Sequence, residues 1–304
     1  MNNYSINNCK ILITGSTGYI GSNLTKKLVE DSNDVHVIVR PNSSFSLLKD
    51  IKNDISFHVF EGTTNQMISI LKKTQPDLVF HLAASYKHAH TAEDLKDLIN
   101  SNILFGSQLV EAMVRNNIYH LINTGTYWQH YQNKDYSPTC LYAATKQAFK
   151  DILKFYVETT ELKVIILKLF DTYGPNDKRK KLFSQLREAI KCKTHLDMSP
   201  GEQLVDIVYI DDVIEAYKKA GEILINNKST KYEEYLVTSG KHVPLKELVK
   251  TYFKILGEDA NINWGERKYR QREVMVPWKK GKTLPNWKPK VMIEEGIRIM
   301  DRLK

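Results

Sequence analysis

Tyr142 and Lys146 stand four residues apart in a segment, Leu141–Thr159, that reads as helix. At that spacing the two side chains share one face. An ammonium beside a phenol favours the phenolate and draws down a pKa that is ordinarily about 10. A phenol so tuned exchanges protons with an alcohol or carbonyl oxygen. Thr124, which follows an apolar segment, adds a hydroxyl able to donate to such an oxygen. Alone, Tyr-x-x-x-Lys is an ordinary helical pair. It reads as chemistry when joined to Thr124 and to the loop Gly15-Ser16-Thr17-Gly18-Tyr19-Ile20-Gly21.

Gly15, Gly18 and Gly21 follow an apolar strand, Lys10–Thr14, and open a helix running to Glu30. Glycine permits the tight turn and lets backbone N–H groups approach a pyrophosphate at the helix N-terminus. The spacing is weak evidence alone; inside a strand–turn–helix unit it marks a dinucleotide site, with Thr17, Tyr19 and Ile20 beside the glycines. The choice of nucleotide turns on the end of the second strand, where NAD sites usually carry an acidic residue. Here that strand ends Val39-Arg40-Pro41-Asn42-Ser43. The planar fork of Arg40 suits a 2′-phosphate and Ser43 adds a donor; a solvated surface arginine is the alternative. These residues favour NADPH over NAD.

The elements that must position these groups alternate. Strands are expected at Lys10–Thr14, Val35–Val39, Ser56–Phe60, Leu78–Leu82, Tyr119–Asn123 and Lys163–Phe170. Between them fall helices at Thr63–Lys73, Glu93–Val114 and Leu141–Thr159. Such alternation specifies an α/β fold with a doubly wound parallel sheet, a Rossmann fold. After Tyr173-Gly174-Pro175 the pattern loosens: a strand over Leu204–Tyr209, a helix from Asp211, a strand over Glu234–Thr238, a helix from Pro244 and a last helix over Met292–Leu303. The expected organisation is a dinucleotide-binding part over residues 1–174 and a smaller substrate-binding lobe over 175–304, with 204–240 returning to the sheet.

Composition narrows the function. The 304 residues are 42% hydrophobic and 26% charged, enough for a sizeable core. No apolar run reaches the roughly 18 residues of a membrane span, and the polar start, Met1–Asn8, lacks the apolar stretch of a secretory signal. Three scattered cysteines, Cys9, Cys140 and Cys192, form neither a disulfide framework nor a metal cluster, and a reducing cytoplasm is the expected compartment. His81, His88 and His90 find no carboxylate to complete a metal site. The net charge of +9 leaves nucleic acid as a minority reading, because basic residues are spread out and only Lys178-Arg179-Lys180-Lys181 form a run. A positive surface equally suits a diphosphate substrate.

Along most of its length the chain resembles the extended short-chain dehydrogenase/reductase family of nucleotide-sugar epimerases, dehydratases and ketoreductases. The matching residues are Gly15-x-x-Gly18-x-x-Gly21, His81-Leu82-Ala83-Ala84, Asn102, Thr124, Tyr142-x-x-x-Lys146, Tyr173-Gly174-Pro175, Tyr209-Ile210-Asp211-Asp212-Val213 and Trp287-Lys288-Pro289. Ser101–Leu104 and Arg270–Met275 carry a closer similarity to the branch of CDP-abequose and CDP-paratose synthases, which reduce a nucleotide-linked 4-keto-6-deoxyhexose. The resemblance implies that Lys146 holds the nicotinamide ribose, that Leu82, Ala83 and Ala84 adjoin the nicotinamide, and that Asn102 supports a proton relay behind Lys146. It places Asp171 and Thr172 in the substrate cleft. Ser85, Tyr86, Thr126 and Tyr127 flank these segments and are expected to touch the sugar.

Dehydratases of the family carry Asp-Glu where this chain has Gly125-Thr126, so dehydration is not expected. Many relatives have an arginine where Val205 stands, which shifts diphosphate binding onto Arg270 and Arg272. The favoured function is NADPH-dependent 4-ketoreduction, in the cytoplasm, of a CDP- or dTDP-linked 4-keto-6-deoxyhexose by a homodimer. An NAD-dependent epimerase and a non-catalytic dinucleotide-binding regulator are the rivals.

Overall fold

The structure, a computed structural model, describes residues 6–227 and 229–303. Met1–Ser5 of the polar start lie outside the described residues. The chain runs β1 (Lys10–Thr14), α1 (Tyr19–Glu30), β2 (Asp34–Val39), β3 (Ile55–Val59), α2 (Thr64–Thr74) and β4 (Leu78–His81). Next come α3 (Asp94–Ile99), α4 (Phe105–Arg115), β5 (His120–Thr126), α5 (Leu141–Thr159), β6 (Lys163–Leu169) and β7 (Asp171–Tyr173). There follow α6 (Leu182–Cys192), β8 (Leu196–Met198), β9 (Leu204–Val205), β10 (Ile207–Tyr209), α7 (Ile210–Asn226) and β11 (Tyr232–Val237). Last are β12 (Val243–Pro244), α8 (Leu245–Leu256), β13 (Ile262–Trp264) and α9 (Ile293–Arg302).

Seven strands form one sheet in the order β11-β6-β5-β4-β1-β2-β3, with every pairing parallel. The expected doubly wound sheet is therefore present. Its strands read as near-continuous apolar runs because helices cover both faces. Along β1, Ile11 and Ile13 face one core with Leu24, Leu28 and Tyr217, while Leu12 faces the other with Met67, Leu109 and Phe149. Strand order reverses between β1 and β4, and ligands of such sheets bind at the carboxyl ends around that switch point. The glycine loop after β1 and the segment after His81 meet there.

Two departures bear on the site. The helix expected over Glu93–Val114 is α3 and α4 joined by a π turn at Asn100–Leu104, which contains Asn102; single π turns often mark functional positions. The strand expected over Leu204–Tyr209 is two strands, β9 pairing β12 and β10 pairing β7. The break falls at Asp206, a buried carboxylate that accepts from the Thr238 hydroxyl and, at 2.8 Å, from the Ser239 N–H. A side chain that captures backbone donors in this way competes with the ladder.

Candidate active site

The glycine loop is shaped by close approach. Gly15 sits at φ +78°, and a Cβ there would come within 2.6 Å of the Ala83 nitrogen. A Cβ on Gly21 would run into the Gly15 carbonyl, and the Gly18 N–H donates to that same carbonyl at 3.0 Å. Helix α1 opens with no side-chain cap and no acidic residue in its first turn, so its N–H groups and dipole are uncommitted. Among the described residues the buried Ser16 hydroxyl has no hydrogen-bond partner. These features fit a pyrophosphate. Thr17 is half-buried on the loop. The Tyr19 side chain turns away to donate to the Pro175 carbonyl at 3.1 Å, with the Arg179 guanidinium 4.6 Å from its ring centre.

At the end of β2, the Arg40 N–H donates to Ser43 Oγ at 3.0 Å and the Ser43 N–H to the Arg40 carbonyl at 3.1 Å. This closed turn leaves the Arg40 side chain exposed and the Ser43 hydroxyl hydrogen uncommitted.

Thr124 and Tyr142 come together around an inner cavity of about 230 Å³ that Ile20, Leu82, Tyr86 and Tyr127 also line. Thr124 Oγ1 donates to the His81 carbonyl at 2.9 Å and lies 2.6 Å from the Tyr217 hydroxyl. His81 is fixed in turn by Thr14, whose hydroxyl lies 2.7 Å from Nδ1. Burial and the nearby Lys146 charge hold His81 down at about 3, so the ring is neutral.

Lys146 is 3% exposed, and burial lowers its pKa to about 8. Among the described residues no protein group hydrogen-bonds its ammonium. The expectation that Lys146 draws down the Tyr142 phenol needs correction in the ligand-free protein. Burial, with Tyr86 and Cys140, raises the phenol, and Lys146 is not among the causes. The one-face spacing holds, but among the described residues no hydrogen bond joins the Lys146 ammonium to the Tyr142 hydroxyl, and burial decides the direction of the shift.

Asn102 is buried on the π turn and fully hydrogen-bonded. Its Oδ1 accepts from the Ser85 N–H at 2.8 Å, and its Nδ2 donates to the Ser85 carbonyl at 3.0 Å and to Thr145 Oγ1 at 2.9 Å. With both Nδ2 hydrogens committed, it fastens α5 to the segment after β4. That segment carries Ala83, Ala84 and Ser85 past the carboxyl ends of β1 and β4, and the Ala83 N–H donates to Thr14 Oγ1 at 3.3 Å.

The inner cavity opens into a cleft of about 550 Å³ that shares Tyr86, Tyr127, Asp171, Thr172, Arg179 and Lys181 with it. The Tyr127 hydroxyl donates to Asp171 at 3.1 Å and its ring stacks on Phe170 at 4.5 Å. Burial alone would raise Asp171; the Lys181 ammonium at 3.1 Å holds it down. Tyr86 packs edge-on against Tyr142, with ring centres 5.2 Å apart. Thr126 lines the cavity while its oxygen accepts from the Trp128 N–H at 3.3 Å, capping the short turn that presents Tyr127 and Trp128. Arg270 and Arg272 both line the cleft; Arg270 is exposed, and Arg272 donates to Ser137 Oγ at 2.6 Å over the Tyr131 ring.

Sequence reasoning missed Arg179 and Lys181, read only as part of a basic run. Their position just after Tyr173-Gly174-Pro175 was the available signal, since that segment edges the cleft. It also missed Tyr217, whose signal was a hydroxyl on an apolar helix face: a buried tyrosine needs a partner.

Fold and site together define a Rossmann protein with a dinucleotide cradle, a Tyr–Lys helix and a threonine facing a common cavity. The NAD dependent epimerase/dehydratase family matches residues 11–233, and the chain belongs to it. It is an NAD(P)-dependent oxidoreductase of that family. It is 30% identical to a CDP-abequose synthase of Yersinia pseudotuberculosis, over 88% of this chain and 91% of that one. It is 26% identical to a CDP-abequose synthase of Salmonella muenchen, over 98% of each chain. Its fold is similar to that of a UDP-glucose 4-epimerase of Thermotoga maritima solved with UDP-glucose, at a TM-score of 0.83 and 22% identity, over 96% of this chain and 97% of that one.

Proposed function

We propose that this protein reduces the 4-keto group of a nucleotide-linked 4-keto-6-deoxyhexose, CDP- or dTDP-linked, with NADPH, making a deoxysugar donor for a surface polysaccharide such as O-antigen. The observation that carries this reading is the make-up of the inner cavity: Thr124 and Tyr142 line it, while Gly125 and Thr126 stand where dehydratases carry Asp and Glu. The similarity to two CDP-abequose synthases supports it.

Bound in this site, NADPH supplies a hydride to the carbonyl carbon. The glycine loop would hold the pyrophosphate, Arg40 and Ser43 the 2′-phosphate, Leu82, Ala83 and Ala84 the nicotinamide side, and Lys146 the ribose. Tyr142 gives its proton to the oxygen as negative charge develops there, and the raised phenol pKa ensures that it enters the reaction protonated. Thr124 donates a hydrogen bond to the same oxygen. Ser85, Tyr86, Thr126, Tyr127, Asp171 and Thr172 shape the hexose site. Arg270 and Arg272 hold the diphosphate, joined by Arg179 and Lys181. Residues 1–174 mainly form the dinucleotide-binding part, with several of their side chains reaching the sugar, and 175–304 mainly form the substrate lobe, with 204–240 returning to the Rossmann sheet; the enzyme works in the cytoplasm.

The test is to incubate CDP- and dTDP-4-keto-6-deoxyglucose with NADPH and follow the nicotinamide absorbance. One NADPH consumed per sugar is the expected result. A changed sugar with no net NADPH consumption would favour an NAD-dependent epimerase, the reading to which the epimerase-like fold lends support. No reaction alongside tight dinucleotide binding would favour a regulator.

A further inference from the structure

Tyr217 lies on α7 behind Thr124, fully buried, with its ring edge-on to Phe80 at 6.2 Å. Its hydroxyl is 2.6 Å from Thr124 Oγ1, a pair in which either oxygen could donate. Counting hydrogens resolves the direction. The His81 carbonyl can only accept, and Thr124 Oγ1 sits 2.9 Å from it, so the single Thr124 hydrogen points there. Tyr217 must then be the donor to Thr124. Among the described residues Thr124 is the one partner of the Tyr217 hydroxyl, and burial raises that phenol, so its proton is retained at neutral pH.

We infer that Tyr217 is a positioning residue that commits Thr124 to the role of hydrogen-bond donor toward the substrate carbonyl. The inference rests on the carbonyl chemistry proposed above and deepens it. One lone pair of Thr124 is filled from behind by Tyr217. Its own hydrogen is parked on the His81 carbonyl. An entering ketone oxygen replaces that carbonyl as acceptor through a single rotation of the hydroxyl. A hydroxyl that already accepts is polarised into a better donor. Without Tyr217 the Thr124 oxygen would be free to take up a water or to turn its lone pair toward the ketone, an orientation that repels the developing oxyanion. The arrangement also couples the site to α7.

The test is a double-mutant cycle of Tyr217→Phe and Thr124→Val, read in two ways. In turnover, Tyr217→Phe is expected to lower kcat roughly three- to tenfold, the scale of one neutral hydrogen bond. KM for the sugar nucleotide and the dissociation constant for NADPH should stay within about twofold, because the bond matters when charge develops. On the Thr124→Val background the same change should cost nothing further. The cycle applies equally if the reaction is epimerisation, which also moves a hydride to and from a carbonyl held by Thr124. In thermal unfolding of the cofactor-free proteins, the two substitutions should be non-additive, reporting the bond independently of any substrate. An unchanged kcat in Tyr217→Phe, or equal losses in both backgrounds, overturns the inference. Failure of both sugar nucleotides to react, with the unfolding coupling intact, overturns the proposed substrate instead; additive unfolding overturns the Tyr217–Thr124 link itself.

Discussion

Asn102 and Thr145 are joined by a hydrogen bond of 2.9 Å, from Nδ2 to Oγ1, at the meeting of the π turn and α5. Thr145 immediately precedes Lys146, and the same Asn102 amide grips both backbone polar groups of Ser85. One buried side chain therefore sets the distance between the Tyr–Lys helix and the segment leaving β4. Asn102→Ala strands the Ser85 N–H and C=O, a loss of about 1–3 kcal/mol for unsatisfied buried groups. Denaturant unfolding should show that loss, and kcat should fall with it because Lys146 and Ser85 no longer share a fixed frame. A variant of wild-type stability and turnover would show that the clamp is dispensable.

Tyr142→Phe keeps the ring against Tyr86 and deletes the proton. Turnover should drop by at least the roughly 10²–10⁴-fold of general acid catalysis, with NADPH affinity nearly unchanged. Near-full turnover in this variant would remove Tyr142 from the chemistry.

Lys146 makes the cofactor-free protein less stable than it needs to be. Burial holds its folded pKa at about 8, against 10.5 for the unfolded chain. The unfolded state therefore binds the extra proton between those values, and stability rises with pH across that window. Below pH 8 the full penalty applies, at most about 3 kcal/mol by the conversion of 1.36 kcal/mol per pKa unit. Lys146→Met should accordingly stabilise the cofactor-free protein at pH 7, by an amount that shrinks as pH climbs from 8 toward 10.5, while abolishing activity. Unfolding curves for both proteins at pH 7, 9 and 10.5 measure it. A destabilised Lys146→Met at pH 7 would mean that the buried ammonium is better served than its surroundings indicate.

If Arg40 reads the 2′-phosphate, Arg40→Ala should weaken NADPH binding by about 1.5–3 kcal/mol, the range for charge-assisted hydrogen bonds. NADH affinity should hold within about twofold, since the Arg40 side chain is exposed and only its backbone closes the turn with Ser43. Titration of both nucleotides decides it, and equal losses would assign Arg40 a structural part.

Much of this was legible in the residues because local physics and global fold agree where the cofactor cradle sits. Ile11-Leu12-Ile13 is apolar on both faces because parallel strands are covered twice, and the glycines mark where a backbone passes. Trp287 and Asp212, matched separately in the sequence, meet in the fold: the indole N–H donates to the Asp212 carbonyl at 3.1 Å. What the residues concealed depends on distance in the chain. Nothing local to Tyr217 announces Thr124, 93 positions away. Likewise, nothing in Tyr142-x-x-x-Lys146 reveals that both side chains will be buried so deeply that burial decides the direction of each pKa shift. The break at Asp206 could not be read from periodicity, because the groups that donate to its carboxylate, Thr238 and Ser239, sit in the loop after β11.

The helices α3, α4 and α5 carry apolar residues on two sides. Leu109, Met113, Phe149 and Leu153 pack in the core against the sheet and, with Leu98, are fully buried. Leu95, Ile99, Leu104 and Phe155 point outward and are 48%, 38%, 48% and 59% exposed. One apolar stripe would suffice for covering a sheet, so the second asks for a cover. A second copy of the chain, packed through these helices as a four-helix bundle, would supply it. The expected product is a homodimer burying on the order of 2,000 Å² in total, within reach of obligate interfaces. Charging the centre of the outer face with Ile99→Asp and Leu104→Asp should split it, because like charges brought together and buried without a partner cost far more than one rim contact contributes. The core-facing residues are untouched, so the variant should still fold. Light scattering at micromolar concentration reads the mass directly. A wild-type mass near the 35.2 kDa of one chain would rule the dimer out and leave the outer stripe without a cover.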